Sequence, residues 1–119
     1  MMCWRETPDA ARALSAAMPF LTRAERVVFV GVKEKGNDIA DALNDAAAQF
    51  SWCGVPVDVR LVAPAGRKIA DVLASAAEDC AADLMVMGAY GHSRMREVIF
   101  GGCTQAVIGH AERPVLLLH

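Results

Sequence analysis

No Cys-x-x-Cys pair, no Walker lysine, no Gly-x-Ser-x-Gly elbow and no block of like charge occurs in this 119-residue chain. Without paired cysteines, a structural zinc site or a thioredoxin-type dithiol is not expected. Without the lysine or the elbow, P-loop and nucleophile-elbow chemistry lose their usual signatures. Ser93 follows His92 directly, but adjacency in sequence does not make a triad. The first sixty residues carry seven basic and eight acidic side chains, and the rest five and six, so neither half is a basic nucleic-acid surface. No apolar run approaches the length of a membrane span, and the start, Met1 to Glu6, lacks a signal-peptide pattern. Neither a nucleic acid nor a membrane is therefore an expected partner. Repeats, linkers and low-complexity segments are also missing.

What is present is a chain that is 55% apolar with a net charge of −2, long enough to bury a core as one domain, residues 1–119. The four cysteines, Cys3, Cys53, Cys80 and Cys103, are widely spaced and read as reduced thiols in a cytoplasmic protein. Cys80 falls on an apolar helical stripe, where a thiol acts as a small hydrophobe.

Periodicity alternates between strand and helix. Thr7-Pro-Asp opens a helix, with Thr7 as N-cap, Pro8 at the first helical position and Asp9 complementing the dipole. Val27 to Val32 reads as a strand buried on both faces. Ile39, Leu43, Ala46, Ala47 and Phe50 make a second amphipathic helix, and Val57 to Val62 alternates like a half-buried or edge strand. Ile69, Val72, Leu73, Ala76, Ala77 and Cys80 form the cleanest helical stripe. Leu84 to Met87 is a strand, Arg94 to Ile99 a short helix, and Thr104, Val107, Ile108 and Ala111 another. Pro114 to Leu118 closes the chain as a strand. This order implies a doubly wound α/β domain, with a parallel sheet, right-handed crossovers and helices on both faces. Only Met2 to Arg5 is available ahead of the first helix, so the first strand is expected to be very short, and the chain reads as clipped at its start.

The strand ending at Met87 runs into Gly88-Ala-Tyr-Gly91-His-Ser-Arg94, then Gly101-Gly102-Cys103-Thr104. Glycines at a strand-to-helix turn let backbone N–H groups come close to a ligand, typically a phosphate. The run from Asp83 to Thr104, followed by Arg113 to Leu118, resembles the C-terminal half of a universal stress protein domain. Gly88, Gly91 and Gly101 match that family's Gly-x-x-Gly, nine residues, Gly pattern in type and spacing. The order of elements agrees from Thr7 to His119. The Gly-Ala-Tyr-Gly-His-Ser-Arg variant is most similar to tandem-domain bacterial members.

The resemblance implies a five-stranded parallel sheet of order 3-2-1-4-5, a homodimer, and in some members a bound ATP or AMP. It points to Val32 on the adenosine side. On the phosphate side Gly88, Gly91, Gly101 and Thr104 match, and Met87, His92, Arg94, Gly102 and Cys103 beside them are further candidate ligand-site residues. Two positions depart from the pattern. Arg5, with Glu6 beside it, stands where nucleotide binders carry a strand-1 aspartate, and Gly102 stands where a hydroxyl residue follows the third glycine. Weak adenine-nucleotide binding by a regulatory module is the resulting expectation; the alternative is a slow nucleotide hydrolase or adenylyl-transfer enzyme, with Glu6 as the carboxylate nearest the glycine turn.

Each of these residues also has a plainer reading. Gly88 and Gly91 can serve close helix–sheet packing alone, and Gly101-Gly102 can merely separate two helices. His92 fits a solvated loop residue better than an acid–base group. Arg94 can pair with phosphate or with Glu97. Cys103 lies near a helix N-terminus, where a thiolate is favoured, but packing is the commoner role. His110 and His119 show no metal-ligand pattern, and Tyr90 and Trp52 read as packing or surface residues. The last strand, Val115, Leu116, Leu117 and Leu118, is expected at a sheet edge and as the homodimer contact.

Overall fold

In the computed structural model, which describes residues 1–36, 38–89 and 102–119, five strands and four helices alternate along the chain. They are β1 (Met2–Cys3), α1 (Pro8–Leu21), β2 (Val27–Val32), α2 (Ala40–Ser51), β3 (Val57–Val62), α3 (Ile69–Asp79), β4 (Met85–Gly88), α4 (Gly102–Gly109) and β5 (Val115–Leu118). All strand pairs are parallel and the sheet order is β3-β2-β1-β4-β5. The expected helix over Arg94 to Ile99 lies outside the described residues.

Period-two alternation sends each strand's side chains to two separate cores. Met2, Val27, Phe29 and Val86 face α1 and α2, where Ala10, Ala13, Ala17, Leu43, Ala47 and Phe50 complete one cluster. Val28, Val30, Met85 and Met87 face the other way, toward Ala70, Leu73, Ala77, Cys80 and Val107 of the α3 and α4 side. β5 is shared: Leu116 and Leu118 pack with the first cluster, Val115 and Leu117 with the second. The expected edge strand Val57–Val62 is an edge, and Val59 and Leu61 remain exposed.

β1 is as short as the sequence suggests, yet it sits at the sheet centre. Cys3 pairs with Val30 on one side and Met87 on the other. Its backbone pairing extends beyond the strand proper, from Val86 N–H to Met1 C=O at 2.9 Å and from Trp4 N–H to Val30 C=O at 2.8 Å.

Thr7 caps α1 as its sequence predicts, its Oγ1 accepting from Ala10 N–H at 3.2 Å, with Pro8 following in the first turn. The start of α1 presses directly on β4. A Cβ at Gly88 would lie 2.7 Å from the Ala10 nitrogen and 2.8 Å from the Asp9 carbonyl carbon, both backbone atoms. Glycine at this position is therefore set by helix–sheet contact. Gly102 is different, since a Cβ there meets nothing within 4 Å.

Two surface positions correct the helix readings. Ile108 is exposed on α4 rather than inward-facing, and Ala111 lies beyond that helix. α4 has eight residues, so its inward stripe reduces to Thr104 and Val107. Trp52, just after α2, is 91% exposed and packs against little.

The contrast between the two glycines is testable by urea denaturation. Gly88→Ala is expected to cost about 1–3 kcal/mol, because backbone on α1 has to move. Gly102→Ala is expected to be neutral or stabilising by at most about 1 kcal/mol. Equal losses at both positions would show that the α1–β4 contact is not what requires Gly88.

Burial pushes the Cys3 thiol from its ordinary 9.0 up to about 12, against a smaller downward pull from the N-terminal ammonium. Below pH 9 the thiol is protonated in both folded and unfolded chains, and its contribution is fully present. Above that, the unfolded chain releases the proton while the folded chain keeps it, so stability falls as pH rises toward 12. The stability difference between wild type and Cys3→Ala should shrink over this interval by on the order of 1 kcal/mol per pH unit. A difference independent of pH would refute the assignment.

Candidate functional site

The two inner strand ends feed helices on opposite faces: β1 leads into α1, and the chain after β4 reaches α4 on the other side. Such a reversal opens a crevice at the carboxyl ends of the strands, where open α/β sheets bind ligands. A cavity of about 130 Å³ lies there. Its floor is apolar, with Val30 and Val32 of β2, Met87 of β4, and Ile39, Ile69 and Leu73 from around it. Cys3, Trp4 and Arg5 enter from the end of β1, Thr7, Asp9 and Ala10 from the start of α1, and Cys103 and Thr104 from α4.

Two polar groups on this wall are unusual. Asp9 is 1% exposed. One carboxylate oxygen accepts from the Arg12 guanidinium and lies 3.5 Å from His119 Nδ1, while the other is buried and finds no partner among the described residues. The Trp4 indole nitrogen is likewise buried without a partner among them. Its ring leans on Phe29 at a centroid distance of 6.3 Å, and its backbone is tied to Val30. Both residues are on the cavity's lining, while these two atoms are themselves buried. Leaving such a group unpaired costs about 1–3 kcal/mol.

At the mouth, Arg5 Nη2 donates to Glu34 Oε2 at 3.2 Å. The pair bridges the ends of β1 and β2, which are neighbours through the Cys3–Val30 register. Both charges reach across to α4. Burial pushes the Cys103 thiol up, Glu34 pushes it further, and Arg5 pulls it down. Burial thus outweighs the helix end at Cys103, in keeping with the packing role expected of it. The raised Cys3 and Cys103 thiols are poor nucleophiles at neutral pH.

Of the residues expected at a ligand site, Val32, Met87, Gly88, Cys103 and Thr104 line this cavity. Gly102 does not. Gly91, His92, Arg94 and Gly101, and also Tyr90, lie outside the described residues. Among the described residues Glu6 is not on the wall, and the carboxylates that line the cavity are those of Asp9 and Glu34. The sequence pointed to Asp9 only as a dipole partner and did not single out Glu34. The available signal was topological, since Asp9 follows β1 at the point of reversal and Glu34 follows its neighbour β2. Among the described residues no group of three His, Cys, Asp or Glu side chains is placed to hold a metal ion, and no helix is long and apolar enough to cross a membrane.

Comparison with known proteins agrees with this architecture. The universal stress protein family model matches residues 6–119. A curated relative, universal stress protein Slr1230 of Synechocystis sp. strain PCC 6803, is 29% identical over 107 residues, which is 90% of this chain. The chain spans only about a third, 34%, of that relative's length. Hypothetical protein MJ0577 superposes with a TM-score of 0.81 at 20% identity, over 98% of this chain and 92% of that one. A universal stress protein solved in complex with cAMP gives a TM-score of 0.71 at 18% identity, over 99% and 94%. At these identities the two structures speak for the fold alone. Together with the family match across nearly the whole chain, the five-stranded parallel sheet of order 3-2-1-4-5 places it: this chain belongs to the universal stress protein family.

Proposed function

We propose that this domain is a regulatory nucleotide-binding module whose ligand enters the cavity at the ends of β1, β2 and β4. The observation that carries the reading is the cavity itself, an apolar floor at the carboxyl ends of β1, β2 and β4 with Trp4, Arg5, Asp9, Glu34 and Thr104 on its lining. The volume, about 130 Å³, is on the scale of a single aromatic ring. The cAMP complex of a structural neighbour supports a nucleotide as the class. Val32, Met87, Cys103 and Thr104 would pack around the ring. The phosphates would lie toward the glycine turn that starts at Gly88, including Gly91, His92, Arg94, Gly101 and Gly102.

ATP or AMP binding is expected to be weak, because Arg5 and Gly102 replace an acidic and a hydroxyl group in the family pattern. Two lost polar contacts at about 0.5–1.5 kcal/mol each amount to roughly a ten- to hundredfold loss in affinity. All four cysteines are free thiols, which supports a reducing, cytoplasmic setting. Titration calorimetry with ATP, AMP and cAMP tests the reading. Weak heats are expected, and they should weaken further in Thr104→Val. No response to any nucleotide at millimolar concentration would refute binding, and multiple-turnover ADP release would favour the hydrolase alternative.

The partner proposed is a second copy of the chain. β5 is an edge strand, and each of its residues, Val115, Leu116, Leu117 and Leu118, is only half-buried although both cores draw on it. Antiparallel pairing of two such edges about a twofold axis would cover both. Leu116→Lys and Leu118→Lys, each checked for folding by circular dichroism, should shift the sedimenting species toward monomer. A wild-type chain that is monomeric at tens of micromolar would rule this dimer out.

A further inference from the structure

We propose that the Arg5–Glu34 pair makes the cavity select a guanine over an adenine base. The inference rests on the nucleotide reading above and specifies its ligand. Both side chains are on the lining of an apolar cavity of about 130 Å³, together with Trp4. Their contact is a single bond, Arg5 Nη2 to Glu34 Oε2 at 3.2 Å. One N–H of the guanidinium fork and one lone pair of the carboxylate are used, which leaves the rest of both groups to a ligand.

The chemistry of what remains is asymmetric. A carboxylate can accept two parallel N–H bonds, and a guanidinium can donate two. Guanine presents N1–H and the N2 amino group side by side, and next to them the O6 and N7 acceptors. A guanine lying on the Val30–Val32 floor can give both donors to Glu34 and receive Arg5 at O6, with N7 as the second acceptor of the same fork. Adenine has one amino group and, beside it, the N1 acceptor. Turned toward the same pair, it gives the carboxylate a single donor, its N6 amino group, and accepts one bond from the guanidinium at N1 or N7. Guanine therefore makes at least one more charge-assisted bond. Such bonds are the stronger ones, and leaving a charged group's partner unmade is the costlier error.

The pair is also held where it can act. Arg5 is two residues past the end of β1 and Glu34 two past the end of β2, and these strands are hydrogen-bonded neighbours. Cys103 of α4 is on the same lining as Arg5 and Glu34. As an ion pair at the surface the two groups would contribute little to stability, so removing the carboxylate should leave the fold intact.

The experiment is calorimetric titration of the full chain with GMP, IMP and AMP, repeated on Glu34→Gln. GMP should bind about tenfold tighter than AMP. IMP, which lacks the N2 amino group, should fall between them. In Glu34→Gln the preference for GMP should collapse, with GMP losing more affinity than AMP. AMP binding equal to or tighter than GMP overturns the selectivity and leaves the nucleotide reading standing. A GMP preference that survives in Glu34→Gln overturns its assignment to this pair. No binding of any of the three overturns both.

Discussion

The approach of α1 to β4 at Gly88 is the contact on which the site depends. With the Ala10 nitrogen 2.7 Å from where a Cβ would stand, α1 starts as close to the sheet as a backbone can. That closeness carries Asp9 into a buried position and brings Thr7 and Ala10 onto the cavity wall. A larger residue at position 88 would lift the helix start and open the crevice on that side. The glycine is thus needed for the site whether or not its N–H ever meets a ligand. The ligand and packing readings of this residue are therefore not competitors, because close packing is what builds the cavity.

A second consequence is electrostatic. The cavity's lining includes Asp9 at the start of α1, Trp4, and the Arg5–Glu34 charge pair, over an otherwise apolar floor. Polar groups of both signs on an apolar surface suit a flat heterocycle better than a free anion, which would meet Asp9 and Glu34 unfavourably. The raised thiols of Cys3 and Cys103 fit the same picture, since a dry cavity that disfavours thiolates is a poor setting for nucleophilic chemistry and a good one for binding.

Much of the fold was legible in the sequence because period and capping agree along the chain. Thr7-Pro-Asp starts α1 where the pattern puts it, and Val27–Val32 and Val57–Val62 are strands over the residues the pattern marks. The half-buried alternation of the latter identified an edge. The site was legible only where a residue type advertises backbone geometry, as at Gly88. Glu34 carries no local signal: it is a loop carboxylate whose importance comes from the register of β1 against β2, a relation between residues 29 apart. Asp9 was visible as a helix-start acid, but its burial follows from the glycine on β4. At Cys103 two local rules compete, the helix end and packing, and the desolvation that decides between them is supplied by the tertiary structure.

The short central strand explains why the two ends of the sheet differ. Over Met2–Cys3 the backbone is paired on both sides, and the pairing continues through Met1 and Trp4, so four residues hold the middle of a five-stranded sheet. At the carboxyl end this suffices, because Trp4 reaches β2 and delivers Arg5 to Glu34. At the amino end, β2 and β4 have no longer neighbour between them, and a groove runs there past Met1, Arg26, Cys80 and Leu84. Arg26 spans part of it, donating to the Cys80 carbonyl at 2.9 Å, and so ties the loop before β2 to the end of α3. A charged side chain thus does at one end of the sheet what strand pairing does elsewhere. The structural demand on β1 is concentrated in the residues that lead into the cavity, so sequence change there acts on pairing at the sheet centre and on ligand recognition together.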